Sequence, residues 1–432
     1  SNAEQLLKKR QANQSRTPAP IVDGELPTTT STSSEEFKVV KVVDDSLFNK
    51  QAVVKIIDTP EWRAMPLEEQ FNFFETVGGM ERHNVTYGSY NQGILKEDIA
   101  TPEINNPEQV KIVHKELQSL EKINNIQSTK NVNINEVFID KFGKTCGNYL
   151  SEIQTKFTGL PSNVVAGEEF DKFSVFHRVR IGNDQISNDL KRKNPYLDKI
   201  ICSSLESRGL NKFQVSMYPK EFGTSGIANN VKEYLQKNGI SSIKNFKIIK
   251  IEKKENYFEI VGNDGSVHKS RKIISTLPYS LLSKLLGQNL KTTPNFVNYK
   301  IIILEIQEQH ALENYYVQDF DKSNCVYRSS NMGRYSNQYS NDGTTFVVAE
   351  IPYSSEEKVI DLQKIKNELI IHKILAQNAE VIDHTVYDKK NIIPINYSQQ
   401  KISLPDNLFS VEHNSFSMKS KFSDIDKISE IL

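Results

Sequence analysis

No glycine occurs between Gly24 and Gly78. That interval therefore holds no glycine-rich turn of the kind through which backbone N–H groups approach a phosphate closely. The chain also has no charge excess, with 54 basic residues against 54 acidic ones. Duplex nucleic acid and anionic membranes reward a basic surplus, so the composition argues against both as partners. Only three cysteines are present, Cys146, Cys202 and Cys325. Odd in number and far apart, they make neither a disulfide framework nor a metal site, and they fit a reducing cytoplasm. No apolar run approaches the ~20 residues that span a bilayer. A P-loop, a His-Glu-x-x-His pair and a G-x-S-x-G elbow are all missing from the sequence, which removes the commonest independent catalytic signatures.

What is present divides the chain. Ser1-Asn2-Ala3 reads as the remnant of a removed tag, so a native leader is left open. The stretch up to Glu36 is rich in Ser, Thr, Pro, Gln and Asn, with TTTSTSS at its centre. Such a segment buries too little apolar surface to offset its ordering entropy, and residues 1–36 are expected to be a disordered tail. Phe37–Val43 and Ala52–Ile57 are β-branched runs and read as strands, and Leu67–Phe74 has helical spacing. Pro107–Ile123 places Val110, Val113, Leu117 and Leu120 on one helical face, and another helix is expected across Asn135–Thr158. Gly226–Lys237 reads as a helix stopped by Asn238-Gly239. Strands follow at Lys247–Ile251 and Tyr257–Val261, with a hairpin turn at Asn263-Asp264-Gly265. Lys272–Ser275 is a short strand and Leu281–Leu286 a helix. Beyond these, strands at Lys300–Ile306 and Thr345–Ile351 flank a helix near Leu362–Ala376.

Four segments, in order, carry a resemblance. Val77-Gly78-Gly79-Met80-Glu81-Arg82 is a double-glycine turn. Asn135–Lys144 leads through Tyr149-Leu150 to Phe157-Thr158-Gly159-Leu160-Pro161. Tyr218-Pro219-Lys220-Glu221-Phe222-Gly223-Thr224-Ser225-Gly226 is followed by a helix, a strand with Ile249 and Ile251, a hairpin and Lys272–Pro278. Tyr327-Arg328-Ser329-Ser330, Thr344–Pro352, Ile392–Tyr397 and Asp406–Val411 complete the set. In this order the motifs resemble the flavoprotein family of amine oxidases, protoporphyrinogen oxidases and UDP-galactopyranose mutases. The resemblance implies an α/β fold. A Rossmann-like FAD/NAD(P)-binding domain would be assembled from 37–105, 218–290 and 400–432, and a mixed-sheet and helical substrate domain from 106–217 and 291–399. It implies FAD as cofactor, with Gly78, Gly79, Met80 and Arg82 at the pyrophosphate, Ile249 near the adenosine, and His413 in the C-terminal flavin-side turn.

Several residues depart from the family pattern. Asp44-Asp45-Ser46-Leu47-Phe48 stands where the glycine turn belongs, and two carboxylates repel a phosphate. Asn72 stands where an acid takes the ribose hydroxyls, and Glu412-His413-Asn414 replaces the C-terminal glycine turn. Two readings stay open. One is a flavoprotein-like oxidoreductase or mutase acting on a small, sugar-nucleotide type substrate. The other is a cofactor-free homologue serving as a binding or scaffold subunit with a protein partner. Candidate substrate contacts are the guanidinium pair Arg178 and Arg180, whose planar forks suit a diphosphate, and the aromatic and basic cluster of Tyr327, Arg328 and Arg334 with Tyr335 and Tyr339.

Overall fold

The structure is a computed structural model. It describes residues 40–42, 75, 79–97, 100–120, 129, 131–193, 195–204, 214–220, 223–237, 239, 241–243, 246–277, 279–288, 295–335, 343–353, 359–395 and 403–410. The expected tail at 1–36, the strand at Ala52–Ile57, the helix at Leu67–Phe74, the turn Asp44–Phe48, Gly78, Tyr339 and His413 lie outside these residues.

A mixed seven-stranded sheet dominates. Its strands run in the spatial order Val381–Ile395, Asn295–Gln307, Thr344–Tyr353, Arg328–Asn331, Tyr316–Asp319, Tyr87–Asn91, Ile94–Glu97. All neighbours are antiparallel except Tyr87–Asn91 and Tyr316–Asp319, which are parallel. Alternation along Thr344–Tyr353 sends Val347, Ala349 and Ile351 to one face, as the two-residue period of a strand requires. There they meet Ile302, Leu304 and Ile306 and the helix Leu362–Ile371 through Ile365 and Leu369. Asp361 caps that helix by accepting from the Lys364 N–H at 3.0 Å.

A second core lies among the helices Pro107–Leu120, Ile134–Phe142 and Lys144–Thr158. It contains Val113, Leu117, Phe138, Phe142, Leu150 and Phe176, all at most 1% exposed. Burying each of these side chains stabilises by about 1.5–3 kcal/mol before entropy is counted. The stretch expected as one helix over Asn135–Thr158 is two helices. Gly143 between them has φ +82°, a conformation that a residue with a Cβ adopts only with strain. The first of the pair opens on a capping box, with Asn133 and Glu136 each bonded to the other's backbone N–H. Three short parallel strands, Glu103–Ile104, Val179–Ile181 and Ile201–Cys202, pack on the same core.

The remaining elements contain parallel pairs drawn from distant parts of the chain. Val40–Val42 pairs with Ser241–Ile243, and Ile273–Ser275 with Leu408–Ser410. The helix Gly223–Lys237 and the antiparallel meander Ile248–Lys253, Phe258–Gly262, Val267–Ser270 lie between them in sequence. This is the α/β arrangement expected for a Rossmann-like domain built from discontinuous segments. Within the interval 37–105, strands Tyr87–Asn91 and Ile94–Glu97 pair into the seven-stranded sheet, whose other strands come from 295–395.

Candidate functional site

The glycine turn and the Tyr218 segment come together. Met80–Val85 runs antiparallel to Gln214–Pro219, with Met80 opposite Pro219 and Glu81 opposite Tyr218. The Lys220 N–H donates to the Gly79 carbonyl at 3.2 Å. Gly79 has φ +60°, and a Cβ there would sit 2.5 Å from Asn230 Nδ2 on the helix Gly223–Lys237. Its close approach is thus to a protein side chain. Met80 is buried. Arg82 is exposed, with its Nε 2.5 Å from Glu75 Oε1. Ile249 is 53% exposed on the outside of the meander.

A fit of FAD to these residues can be tested on Gly79. The Asn230 side chain takes up the space left by its missing Cβ, so at Gly79 itself a protein side chain stands where a phosphate oxygen would approach.

The cluster expected around Arg328 is present and larger than the sequence showed. Arg328 and Glu350 are direct cross-strand neighbours. Arg328 Nε donates to Glu350 Oε1 at 2.8 Å, its Nη2 reaches the same oxygen, and Tyr327 Oη donates to Glu350 Oε2 at 2.9 Å. Tyr299 packs on Tyr327 with ring centroids 5.4 Å apart. Tyr335, 1% exposed, is the hub that joins this cluster to the glycine region. Its ring lies 5.2 Å from that of Tyr218 and meets Tyr315 edge-on at 4.9 Å. Tyr87 and Tyr316 stack at 5.2 Å, 4° from parallel.

The electrostatics follow from this crowding. Burial raises the Tyr335 phenol above its ordinary pKa, partly offset by the Arg328 charge. Burial likewise raises Tyr299, Tyr316 and Tyr327. All are neutral hydroxyl donors at physiological pH. Burial also raises Tyr315, while Arg334 pulls it down, which sets the exposed Arg334 at the rim of the same cluster. The Arg328 side chain is densely surrounded, yet 35% of its surface is accessible. The Tyr335 hydroxyl has no hydrogen-bond partner among the described residues, and a buried polar group without one is a place for a ligand or a water.

Arg178 and Arg180 lie elsewhere, on the short parallel sheet. Arg178 is 4% exposed and its Nη2 donates to the carbonyls of Ile201 (2.5 Å) and Asp198 (3.3 Å). These bonds tie it to the end of the short helix Pro195–Ile200 and to the strand that follows. Arg180 Nη2 binds Asp184 at 2.6 Å, with Glu103 3.7 Å from its Nε. Sequence reasoning missed Glu350, Tyr299, Tyr315, Tyr316 and Tyr87. Strand register brings Glu350 to Arg328, while Tyr87 joins through Tyr316 and Tyr315 through Tyr335. Tyr218 stood in a quoted motif, but its contact with Tyr335 was not legible.

The opposite side of the sheet holds a sealed polar network. Asp319, fully buried, accepts from His372 Nε2 at 2.7 Å, Asn324 Nδ2 at 2.8 Å and the Asp321 N–H at 2.7 Å, and pairs with Lys156 Nζ at 2.9 Å. His372 Nδ1 lies 3.0 Å from Ser329 Oγ. Serine, histidine and aspartate in a hydrogen-bonded row resemble a hydrolytic relay. All three are 0% exposed, so no substrate reaches the serine and the row is structural.

Comparison with known proteins places this geometry. No protein-family model matches the sequence, and no curated protein is significantly similar to it. Solved structures do match. A reduced UDP-galactopyranose mutase superposes with a TM-score of 0.51 at 15% identity, over 75% of this chain and 69% of its own. A putative protoporphyrinogen oxidase from Exiguobacterium sp. 255-15 gives 0.55 at 9% identity, over 84% and 83%. A putrescine oxidase double mutant from a redesign of cofactor binding gives 0.50 at 8% identity, over 85% and 86%. At these identities the likeness establishes the fold. The chain has the fold of the flavoprotein oxidoreductases and mutases that its sequence motifs resemble.

Proposed function

We propose that this protein is a flavoprotein-like oxidoreductase or mutase that binds a small anionic substrate, of the sugar-nucleotide class, in the tyrosine-lined cleft at Arg328. The observation that carries the reading is a guanidinium pinned by Glu350 on one side and open on the other, ringed by phenols. A fixed guanidinium recognises phosphate or carboxylate oxygens. Tyrosines offer flat faces to a sugar or base and hydroxyls to its polar edge. Arg334 at the rim adds positive charge to attract an anion. Arg178 and Arg180, on the short parallel sheet, are not used in this reading; Arg178 Nε and Nη1 and Arg180 Nε are buried without a hydrogen-bond partner among the described residues. FAD, when bound, would supply the redox or group-transfer chemistry of the fold. Its affinity is proposed to be low, because Asp44 and Asp45 replace the glycine turn and Gly79 is packed against Asn230.

The same two features favour a second reading, a cofactor-free homologue acting as a binding or scaffold subunit. Absorbance of the purified protein followed by titration with FAD, FMN and a UDP-sugar separates the two. The first reading expects flavin binding and UDP-sugar binding, the latter weakened about ten- to a hundredfold in Arg328→Ala, since a charge-assisted hydrogen bond contributes about 1.5–3 kcal/mol. UDP-sugar affinity unchanged by that substitution would sink the site. Ligand binding without any flavin binding would select the cofactor-free reading.

A further inference from the structure

The seven-stranded sheet ends in two unlike edges. At one, Ile94–Glu97 is four residues long, Lys96 is turned onto Glu103, and Glu97 meets Lys373 at 3.4 Å. A short, charged edge of this kind discourages further pairing. At the other, Val381–Ile395 runs fifteen residues and pairs along one side with Asn295–Gln307. Among the described residues no strand pairs with its outer side. Residues 382–384 and 386–390 are exposed, with Ile382 at 50% and Val386 and Tyr387 at 40% each. Pro394 interrupts the row of N–H donors only near the far end. From Asp383 to Lys389 the register with Asn295–Gln307 is regular and the outward row is open except at His384, whose N–H donates to Asp383 Oδ1 at 2.7 Å; such a row is a template for another strand.

We propose that this edge pairs antiparallel with the same edge of a second copy, about a two-fold axis through Val386, so that two seven-stranded sheets join into one across a homodimer. An isologous contact needs a strand complementary to itself, and the charges on this edge have that property. With the axis at Val386, Asp383 stands opposite the second copy's Lys389, and Lys389 opposite its Asp383. Thr385 and Tyr387 face each other in the same way, on the same sheet face. On the other face Val386 meets Val386, flanked by His384 opposite Asp388. Opposite charges, and aromatics with β-branched residues, are the cross-strand pairs that stabilise sheets.

Neighbouring registers lose this match. An axis at Thr385 sets Asp383 against Tyr387 and Ile382 against Asp388. An axis at Tyr387 sets His384 against Lys390 and Val386 against Asp388. Registers shifted by an odd step put side chains on opposite faces. Asp388 already bonds to Tyr353 and lies 3.5 Å from Lys300, so the Asp383–Lys389 pairs carry the specificity. Both of these side chains are exposed; Asp383 Oδ1 accepts from the His384 N–H at 2.7 Å and Lys389 Nζ lies 5.8 Å from the Tyr387 ring centroid, surface contacts that the pairing would exchange.

Charge reversal tests the axis. Light scattering and sedimentation of the full chain over about 1–100 µM should show a dimer, in the micromolar class appropriate to a contact of modest area. Asp383→Lys and Lys389→Asp should each weaken it at least about tenfold, since each places two like-charged pairs across the axis. The double variant Asp383→Lys/Lys389→Asp should restore it. Circular dichroism and the melting temperature should not move, because the residues are exposed. In Val386→Cys, mild oxidation should produce a covalent dimer that the wild-type protein does not form. A monomer at ~100 µM, a dimer indifferent to both reversals, or a double variant that stays weak would each overturn the proposal.

Discussion

Arg328 and Ser329 are adjacent on one strand, yet they face two different chemical worlds. Ser329 looks toward His372 and Asp319, where donors and acceptors match closely and nothing is exposed. Arg328 looks toward Glu350 and the tyrosines, where a charge is a third open and a buried hydroxyl has no partner among the described residues. A strand delivers successive side chains to opposite faces. The chain has used that alternation to separate a sealed face from an open one. A sealed, satisfied network favours one conformation, whereas an incompletely satisfied, partly open cluster keeps capacity for something else.

This contrast can be broken most sharply at Asp319. Asp319→Ala leaves Lys156 buried without its carboxylate and should cost about 3–5 kcal/mol of stability, measured by urea unfolding, with little change in ligand affinity at fixed protein concentration. The same carboxylate gives a pH dependence. Burial alone would raise its pKa, but the His372 hydrogen bond and the Lys156 charge outweigh burial and hold it below the ordinary value. The unfolded chain therefore takes up a proton, near pH ~3.9, that the folded chain resists. The contribution is fully present above that pH and is lost as pH falls through the folded-state value. Asp319→Asn should flatten this acid limb of the stability curve. An unchanged limb would mean that other carboxylates dominate it.

On the open face the expected effects reverse in kind. Arg328→Ala should cost about 1.5–3 kcal/mol of binding to an anionic ligand, read by calorimetric titration, while stability changes by much less than in Asp319→Ala. Between the two lies Gly79→Ala. A left-handed φ costs an ordinary residue roughly 1–2 kcal/mol, and its methyl would also press on Asn230. A loss of that order in thermal unfolding is expected. The smallest effect belongs to Tyr335→Phe. Removing a hydroxyl without a partner among the described residues should leave stability within about 0.5 kcal/mol, while ligand affinity falls if the cluster is used as proposed. Equal losses of stability at Tyr335 and Asp319 would erase the distinction between the two faces.

Much of the fold was legible where a pattern is local. Val110, Val113 and Leu117 recur at helical spacing and are buried as a face of Pro107–Leu120. Asn263-Asp264-Gly265 is a turn between paired strands, with Gly265 at φ +81°. What depends on distant partners was not legible. The parallel strands Glu103–Ile104 and Ile201–Cys202 are two residues long, too short to show a period. Tyr327 and Arg328 were singled out as an aromatic and basic pair, but Glu350, which gives Arg328 its orientation, lies 22 positions away and is found only through sheet register. Gly79 was marked through the double-glycine motif, and the structure supplies a packing reason for it in Asn230.

Asp319 also ties together parts of the chain that are far apart in sequence, through Lys156 in one helix, Ser329 by way of His372, and His372 beyond another helix. No one of these pieces can open by itself without stranding a buried charge or a buried polar group in the others. Fraying is thereby coupled across helix and sheet. Amide hydrogens from Tyr316 to Asp319 and around Ser329 should exchange only through opening of the whole unit, at the rate set by global stability. Asp319→Asn should let them exchange piecemeal, and mass spectrometry after deuterium labelling would see the single cooperative step divide.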